Sequence, residues 1–463
     1  MRHLIILNGI WPWPGQNSAW AINRSMGAYQ IRHWLKKFGF SVQVIDFCQI
    51  LTVREIKTLL EQFIGDETFA VGFSTTYWPK IGSAPSNMTE TISWLRSNYS
   101  QIKLVGGGMG KKTFDSLFDV VFVGQSEDAF VSWCQQQIGK SNKSLFNKKF
   151  NITELDHKFQ LEDCILPFEV LPIELGRGCI FKCKFCAHPN LGKPKFTYQR
   201  HFDLIIDEMK YNHQQFGVTR YNFMDDTVNE DIEKVENLSR LPDSLGFEIM
   251  WNGYLRADLI WSRKGTDAML KRSGMKTCYF GIETFNPAAG KAIDKGWGAK
   301  HGKEYLPHLY ENVWQKDINI RINFIVGLPG ESLESSEETF NWCMHQDFGM
   351  SQFTALDIYE ANAGEITSEF SRNYKEHGYV LTNPGWKNEF MTSQQAADAA
   401  LRFNKELGMV NKVSSWPLFS VISLGTDYEI ARQMKVEELY NFPFAVVQKF
   451  KQQYISKLKQ LKE

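Results

Sequence analysis

The sequence has no excess of either charge and no long apolar run, and each absence excludes a class of protein. Its 52 lysines and arginines balance its 52 aspartates and glutamates over 463 residues. A chain without net positive charge lacks the field that holds nucleic acid, so we expect no nucleic-acid partner. No run of about 18 apolar residues is present, so we expect no membrane-spanning segment. The N-terminal residues show no signal-peptide cleavage pattern, and a cytoplasmic location is therefore expected.

Cysteines are few, and most of them are isolated in the sequence. A cytoplasmic chain keeps its cysteines reduced or uses them to bind metal, so a disulfide scaffold is excluded. The 43% of hydrophobic residues are enough for a full core. At about 150 residues per domain, the length predicts two or three domains. Five of the eight cysteines are most simply small buried apolar side chains: Cys48, Cys134, Cys164, Cys278 and Cys343.

Residues 1–140 alternate short apolar strands with amphipathic helices. This order predicts a doubly wound, Rossmann-like parallel sheet of the α/β class. Such sheets bind ligands at the carboxyl ends of their strands. The predicted strands are Leu4–Leu7, Val42–Ile45, Ala70–Ser74, 103–105 and Val120–Val123. The residues at or just beyond the strand ends are Ser74, Thr75, Gly106, Gly107, Gly108 and Gly124, and the three consecutive glycines are expected to form a turn.

The rest of the chain divides into a linker, a second α/β unit and a helical end. Residues 141–170 begin with a polar stretch and are typical of a linker. Residues 171–360 repeat a longer βα pattern, which predicts a full or partial barrel. Residues 361–463 are expected to form a mostly helical C-terminal extension, and a substrate-related role for it is a hypothesis. The predicted barrel strands are 172–175, 219–223, 248–251, 277–281 and Asn319–Val326.

Three cysteines, Cys179, Cys183 and Cys186, are spaced C-x3-C-x2-C behind a predicted strand. Packing explains three such close thiols poorly, so we expect a metal centre. One alternative is a Cys3His zinc site with His188 as the fourth ligand. The other is a [4Fe–4S] cluster, in which three thiolates leave one iron open to a substrate group. Such a cluster can chelate S-adenosylmethionine (SAM) and pass an electron to its sulfonium.

The cysteine spacing, with Phe185 before the third cysteine, resembles the signature of the radical SAM superfamily. Residues 221–227 resemble the F-x-D-D-x-F pattern of its cobalamin-associated branch, which places Asp225 and Asp226 near the SAM amino group. A helix cap is the alternative reading of these two aspartates. Residues 251–258 resemble the element whose arginine, here Arg256, approaches the SAM carboxylate.

Two further segments continue the resemblance in the same order. Residues 274–284 resemble a strand end whose glutamate, here Glu283, binds the SAM ribose. Residues 323–332 resemble the I-x-G-L-P-G-E-T element, with Val326 and Gly327 beside the adenine. A structural zinc site would not require these segments. The resemblance therefore implies a partial (β/α)6 TIM-type barrel with the cluster on Cys179, Cys183 and Cys186. It also implies SAM binding by Phe185, Asp225, Asp226, Arg256, Glu283, Val326 and Gly327.

The order of sheet module, linker and barrel resembles that of the cobalamin (B12)-binding-domain-containing radical SAM proteins. The glycine run and residues 119–127 resemble strand ends of their cobalamin module, although Gln125 and Ser126 depart from the pattern. The D-x-H-x-x-G motif is absent, so no cobalt-ligating histidine is assigned. A sheet that no longer binds cobalamin is the alternative. The residues implied at cobalamin are Ser74, Thr75, Gly106, Gly107, Gly108, Gly124 and Glu127.

The resemblance implies an enzyme that cleaves SAM reductively to a 5′-deoxyadenosyl radical and uses cobalamin to transfer methyl to an unactivated carbon. A small-molecule or peptide substrate and an electron donor such as a flavodoxin or ferredoxin are expected, and no catalytic residue is assigned. Two alternatives are a non-methylating radical SAM reaction and a non-catalytic iron–sulfur or zinc protein. An RNA methylthiotransferase is disfavoured, since only Cys48 and Cys134 lie in the N-terminal module. Trp11, Trp13 and Trp20 are expected to cover a domain interface rather than form a lid.

Overall fold

The computed structural model describes residues 3–9, 22–75, 87–108, 116–139, 149–188, 191–194, 197–346, 350–360, 367–410, 430 and 433–461. The tryptophans Trp11, Trp13 and Trp20 lie outside these residues. Of the helices in this described part of the chain, none is long and apolar enough to cross a membrane.

The first unit is a five-stranded, all-parallel sheet with strand order β2-β1-β3-β4-β5. The order reverses between β1 and β3, and ligands of such sheets bind in the crevice outside the strand ends at that point. Helix α2 begins at a capping box in which Thr52 and Glu55 satisfy each other's backbone N–H groups. The strands are β1 Leu4–Leu7, β2 Val42–Ile45, β3 Ala70–Ser74, β4 Lys103–Gly108 and β5 Val120–Val123. The helices are α1 Met26–Lys36, α2 Val53–Phe63, α3 Asn87–Asn98 and α4 Glu127–Gln137.

The expected glycine turn at 106–108 is wrong, because the three glycines continue strand β4. Gly106 pairs with Phe73 on one side and with Val121 on the other, and Gly107 pairs with Ser74 and Phe122. A strand with a neighbour on each side satisfies its backbone groups in the sheet, which overrides the turn preference of glycine. The glycines therefore lie in the floor of the strand-end crevice rather than in a loop above it.

The second unit is a six-stranded parallel sheet in sequential order, β6 to β11, which forms an open, partial barrel. Together with the first sheet and the helical C-terminus, it confirms the predicted fold class. The sixth strand, β11, was not located in the sequence. The strands are β6 Val170–Glu174, β7 Arg220–Met224, β8 Met250–Leu255, β9 Met275–Glu283, β10 Asn319–Val326 and β11 Met350–Ala355. The helices are α5 Phe202–Phe216, α6 Ile232–Ser239, α7 Leu241–Leu245, α8 Ala257–Ser262, α9 Thr266–Arg272, α10 Pro287–Ala292, α11 Lys303–His308 and α12 Leu333–Met344.

The barrel strands are apolar on the face that packs against the helices and polar on the interior face. In β10, Ile320, Ile322 and Phe324 are almost fully buried in the core, whereas Arg321 faces the other way. Parallel strands covered on both faces by core are normally apolar throughout. The alternation therefore shows that the barrel interior is a polar cavity wall and not part of the packed core.

The C-terminal part is mostly helical and packs against both sheets. Asn404 of α14 donates to and accepts from the backbone of Phe353 in β11, at 2.8 and 2.9 Å. The last helix, α15, packs Phe450 against Phe47 of the first module, and Tyr454 Oη accepts the N–H of Asp46 at 2.8 Å. The remaining elements are α13 Glu369–Arg372, the hairpin β12 Val380–Leu381 and β13 Trp386–Lys387, α14 Ser393–Val410 and α15 Val436–Gln460.

Buried ion pairs join the first module to residues 149–170. Arg24 donates two hydrogen bonds to Glu169, at 2.7 and 2.9 Å, and a third to Tyr29, whose hydroxyl donates to Asp46. Both Arg24 and Glu169 are completely shielded from solvent. Two parallel bonds to one carboxylate fix an orientation as well as a distance. The segment between the sheets is therefore a structured brace in this part rather than a loose linker.

Candidate functional site

The strand ends of the first sheet and the interior face of the barrel enclose one cavity of about 980 Å³. Its first wall includes most of the residues that the sequence resemblance assigned to cobalamin. A Cβ atom on Gly107 would meet nothing within 4 Å, so this glycine leaves the wall flat and open. Thr75 is not in the wall, because its backbone N–H and its hydroxyl are bound to the Gly107 carbonyl at 2.7 and 3.1 Å. The predicted residues that line the cavity are Ser74, Gly106, Gly107, Gly108, Gly124 and Glu127.

Glu127 also holds the two modules together at the cavity edge. Its carboxylate accepts a hydrogen bond from Arg177 at 2.5 Å, and Arg177 bonds Glu174 of β6 at 2.7 Å. The third partner of Arg177 is the side-chain oxygen of Gln30 in α1. Arg177 precedes Cys179 by two residues, so the first module anchors the start of the cysteine loop. In this structure Glu127 therefore contacts Arg177 directly, a role that the sequence did not predict.

The three predicted metal-ligating cysteines lie together on the loop that follows β6. Cys179 is buried, with its thiol 3.4 Å from the Thr227 hydroxyl, and its carbonyl accepts the Gly192 N–H at 2.6 Å. Cys183 and Cys186 are partly exposed. Burial raises the pKa of the Cys179 thiol and raises that of Cys186 to about 11, and the neighbouring thiols act in the same direction. Thiolates in such a group need a cationic partner, and a metal centre is one.

The donor geometry fits a cluster better than a single zinc ion. His188, the fourth ligand of the zinc alternative, lies 2.9 Å from the Asp226 carboxylate. Within the described part of the chain, no three histidine, cysteine, aspartate or glutamate side chains are arranged to hold one metal ion. A zinc ion needs four ligands at one point, whereas each corner of a [4Fe–4S] cluster takes one thiolate. A loop that presents three separated thiols suits the second arrangement.

Asp226 positions the cysteine loop, and Asp225 stabilises the turn beside it. Asp226 accepts the backbone N–H of Gly178 at 2.9 Å, next to Cys179. Asp225 caps the turn by accepting the Thr227 N–H at 2.9 Å, and it forms a buried ion pair with Lys234 at 2.8 Å. Burial raises the pKa of Asp225 despite this pair. Asp225 does not cap a helix, because the N-cap of the next helix, α6, is Asp231, whose side chain accepts the Glu233 N–H. Asp225 and Asp226 both line the cavity.

Arg256 lies directly beside the cysteine loop, as its predicted role requires. Its guanidinium stacks on Phe181 at 3.8 Å from the ring centre, and one of its nitrogens is 3.9 Å from the Cys183 sulfur. Asp258 binds the other edge of the guanidinium, at 2.8 Å. The stacked ring and the carboxylate fix the plane of the guanidinium. Arg256 is therefore a rigid cation at the edge of the cysteine loop.

Glu283 ends β9 in a left-handed conformation, with φ of 68°, and pairs with Lys295 at 2.9 Å. A non-glycine residue in this region is uncommon and occurs most often where a site constrains the backbone. The neighbouring Thr284 donates to the buried Glu331 at 2.8 Å, which ties the ends of β9 and β10 together. Lys295, 12 residues further along the chain, was not found by sequence reasoning because nothing local marks it.

Val326 and Gly327 do not line either cavity that we describe. Val326 is fully buried, and a Cβ atom on Gly327 would lie 2.6 Å from the Trp386 ring. Gly327 has φ of 102°, and its carbonyl accepts the Tyr379 hydroxyl at 2.7 Å. The packing of Trp386 accounts for this glycine, whereas the sequence attributed it to a bound adenine. The backbone of this segment remains next to the site through Ile325.

A second, smaller cavity of about 270 Å³ lies beside the cysteine loop. Phe185 and Ala187 form one side, and residues at the ends of β10 and β11 form the other, among them Ile325 and Leu356. The polar residues around it are Thr354, Asp357, Tyr359, Thr367, Ser368 and Ser371. Its size and mixed lining suit a flat heterocycle with a few hydrogen-bonding atoms. Of the predicted SAM residues, Phe185 is the one that lines it.

Sequence reasoning missed the polar residues on the barrel interior. They occur at every second position of the strands, which is a periodicity the sequence displays. The cavity wall from this side is formed by Asn222, Met224, Asn252, Tyr254, Tyr279, Arg321, Gln352 and Thr354. A reading that separated the two faces of each strand would have identified them.

Comparisons with known proteins bear on this site. Residues 173–343 match the radical SAM superfamily. The uncharacterized methyltransferase PH0819 of Pyrococcus horikoshii is 24% identical over 308 residues, 64% of each chain. The bacteriochlorophyllide d C-12(1)-methyltransferase of Chlorobaculum tepidum is 26% identical over 41% of this chain and 40% of that protein. The chain thus matches less than two thirds of the length of these curated relatives.

Two solved structures share the fold. One is the radical SAM methyltransferase TsrM of Kitasatospora setae, solved with tryptophan and a SAM analogue. The alignment covers 98% of this chain and 99% of the TsrM chain, with a TM-score of 0.64 and 14% identity. The other is the cobalamin-dependent radical enzyme OxsB, solved with aqua-cobalamin. The alignment covers 81% of this chain and 56% of the OxsB chain, with a TM-score of 0.53 and 15% identity. These likenesses confirm the fold, and the superfamily match confirms the resemblance of residues 173–343 to radical SAM proteins.

Proposed function

Since residues 173–343 form a radical SAM domain, we propose that the chain is a cobalamin-dependent radical SAM methyltransferase. The observation that carries this proposal is the single cavity of about 980 Å³ between the first sheet and the barrel. The cavity extends from the strand ends of the first sheet, where such sheets bind ligands, to the residues that hold the cysteine loop. These residues are Arg177, Asp226 and His188. One cavity thus connects the wall proposed for cobalamin with the residues around the cysteine loop.

Each cofactor has a candidate binding region made of this chain's residues. The cluster would be held by Cys179, Cys183 and Cys186, SAM by the smaller cavity with Arg256 and Glu283, and cobalamin by the strand-end wall around Gly107. When bound, these groups supply reductive cleavage of SAM to a 5′-deoxyadenosyl radical and a methyl group for transfer to carbon. The chain contributes binding, orientation and exclusion of water, since the cofactors carry the difficult chemistry.

The side chains beside the cysteine loop have definite tasks in this proposal. Arg256, fixed by Phe181 and Asp258, presents parallel N–H donors that suit the carboxylate of SAM. Glu283 presents a carboxylate that suits the two ribose hydroxyls, and its contact with Lys295 at 2.9 Å fixes its position. Phe185 offers a ring face to the adenine in the smaller cavity. Asp226 keeps the loop in place for all three contacts.

The open wall of the first sheet suits a large, flat cofactor. Gly106, Gly107 and Gly108 lie in adjacent positions of β4, and small residues let a macrocycle approach the sheet edge closely. The barrel interior on the opposite side presents polar side chains to the cavity. A carbon radical formed there would have to be kept from solvent, which would quench it. This arrangement puts the methyl acceptor between the two modules.

The test is to incubate the anaerobically purified, reduced protein with SAM that carries a deuterated methyl group, together with a small-molecule extract of its native cells. Mass spectrometry should find 5′-deoxyadenosine, S-adenosylhomocysteine and an acceptor that carries the label. A matched pair of variants controls the result: Cys183→Ala should abolish 5′-deoxyadenosine and label transfer to the acceptor, and Cys134→Ala, in helix α4, should retain both. The nucleoside alone, without label transfer, would favour the non-methylating alternative. Intact SAM under strong reductant would refute the proposal.

A further inference from the structure

The barrel side of the large cavity is a polar surface that the proposed cofactors do not account for. Its members lie on the interior face of five consecutive strands, β7 to β11. Arg321 pairs with Tyr279 across the β9–β10 ladder, and Asn222 pairs with Asn252 across β7 and β8. These residues precede the carboxyl ends of their strands, so they lie deeper in the barrel than the cysteine loop. We call Asn222, Asn252, Tyr254, Tyr279, Arg321 and Gln352 the barrel floor.

Arg321 brings a positive charge into this floor. It is 8% exposed, it donates to the side-chain oxygen of Gln352, and its guanidinium lies 5.4 Å from the centre of the Tyr279 ring. Burial lowers the pKa of Arg321, and Tyr254 and Tyr279 act in the opposite direction. A charge taken out of water attracts an opposite charge far more strongly than the same charge on the surface.

The other arginines in the cavity wall have a different setting. Arg24 binds Glu169, and Arg177 binds Glu127 and Glu174, so these two charges are engaged in joining the modules. Arg321 faces the cavity from the opposite side, where Gln352 and Tyr279 hold the plane of its guanidinium by a hydrogen bond and a ring contact. An oriented guanidinium binds a planar or tetrahedral oxyanion with two parallel hydrogen bonds.

We propose that Arg321 binds an oxyanion of the substrate, so that the methyl acceptor is a small molecule with a carboxylate or phosphoryl group. The statement that the bound molecule is the methyl acceptor rests on the proposed function. The assignment of Arg321 as a binding site for an oxyanion does not depend on it. The amides of Asn222 and Asn252 are placed to bind further polar atoms of the same molecule. Tyr254 and Tyr279, with ring centres 5.1 Å apart, form an aromatic wall for its apolar part. The anion at Arg321 would thus fix which carbon faces the centre of the cavity.

The test uses simple probes that share one ring and differ in charge: benzoate, phenyl phosphate and neutral benzamide. Their dissociation constants for the oxidised, cofactor-loaded protein are measured by ligand-observed nuclear magnetic resonance. A charge-assisted pair predicts that the better anion binds wild type at least about tenfold more tightly than benzamide. Arg321→Gln should lose this preference, and Arg321→Lys should keep part of it. Arg240→Gln, on an exposed arginine outside the cavity, should leave it unchanged.

The comparison of benzoate with phenyl phosphate identifies the oxyanion. Equal binding of benzamide and both anions by wild type would overturn the inference, as would an anion preference that survives in Arg321→Gln. If Arg321→Gln does not fold, as judged by its melting temperature and iron content, Arg321→Met replaces it with an apolar side chain of similar length. Formation of 5′-deoxyadenosine is measured in the same preparations. Anion preference without this nucleoside refutes the proposed function alone, and the nucleoside without anion preference refutes this inference alone.

Discussion

Removal of the Arg177 side chain should weaken the contact between the first module and the barrel and lower the free energy of unfolding. Arg177 is the one residue that the described structure shows bound at once to α4, α1 and β6, through Glu127, Gln30 and Glu174. The side chains of Arg177, Glu127 and Glu174 are only 12%, 8% and 11% exposed. Arg177→Gln keeps most of the side-chain volume and removes the charge, which leaves two carboxylates facing each other without their cation.

The expected loss in the free energy of unfolding follows from the burial of these ion pairs. Breaking a buried ion pair by removing one partner costs about 3–5 kcal/mol, because the other charge is left uncompensated. The residual exposure of this network puts the expected loss at the lower end, about 3 kcal/mol. The double variant Arg177→Gln/Glu127→Gln removes one of the stranded charges and should regain about 1–2 kcal/mol. Arg96→Gln breaks the exposed pair with Asp119 and should cost less than about 1 kcal/mol.

The pH dependence of the variant gives a second readout with a definite sign. Burial already raises the pKa of Glu174, and Arg177 opposes that rise. Without Arg177 the folded-state pKa of Glu174 rises further above its unfolded value, so the folded state prefers the protonated carboxyl. A carboxyl whose pKa is higher in the folded state than in the unfolded state lowers the stability of the folded protein progressively as the pH rises above the unfolded pKa. Arg177→Gln should therefore lose more stability at pH 8 than at pH 5.5, relative to wild type.

The assay is urea unfolding of the wild type, the two variants of this network and the Arg96→Gln control, at both pH values. Iron content of each preparation reports whether the cysteine loop is still anchored, since Arg177 precedes Cys179 by two residues. A loss below about 1 kcal/mol in Arg177→Gln would refute the reasoning. So would a double variant no more stable than the single one, because the stranded carboxylates would then not be the cause.

Three further predictions concern single side chains. Gly327→Ala should destabilise by about 3 kcal/mol in thermal unfolding, because its φ is 102° and Trp386 occupies the space of the new methyl group; an unchanged melting temperature would contradict this. Burial raises the pKa of Glu331 to about 7, so wild type should lose stability relative to Glu331→Gln as the pH rises from about 4.5 to 7, and parallel pH profiles would exclude this cause. Tyr454→Phe removes the hydroxyl that accepts the Asp46 N–H and should cost about 1–2 kcal/mol, whereas no loss in urea unfolding would show that the last helix contributes little to the first module.

Local sequence patterns predicted the cysteine loop and most of the strands correctly, although strand β11 was missed. The alternation of strands and helices identified both sheets, and the spacing of Cys179, Cys183 and Cys186 located the loop at the end of a strand. The glycine turn was wrong because Gly106 to Gly108 gain their hydrogen bonds from strands far away in the sequence. Local preference cannot compete with a ladder that is completed on both sides.

The contacts that build the site join distant parts of the chain, and local patterns cannot show them. Arg177 and Glu127 are 50 residues apart, and Asp46 and Tyr454 are 408 apart. The contact of Gly327 with Trp386 was not predicted for the same reason, since Trp386 is far along the chain. The barrel floor is different, because Arg321 belongs to an alternating strand. Its polar face is readable from the alternation of the strand, but the sequence analysis did not separate the two faces of each strand.

The central claim is that the cysteine loop carries an iron–sulfur cluster in a protein that also holds cobalamin. Iron, acid-labile sulfide, cobalt and zinc should be quantified in protein purified without oxygen from cells supplied with cobalamin, together with the visible spectrum. The account predicts about four irons with matching sulfide and one cobalt per chain. Zinc without iron or sulfide, persisting after anaerobic reconstitution, would contradict it.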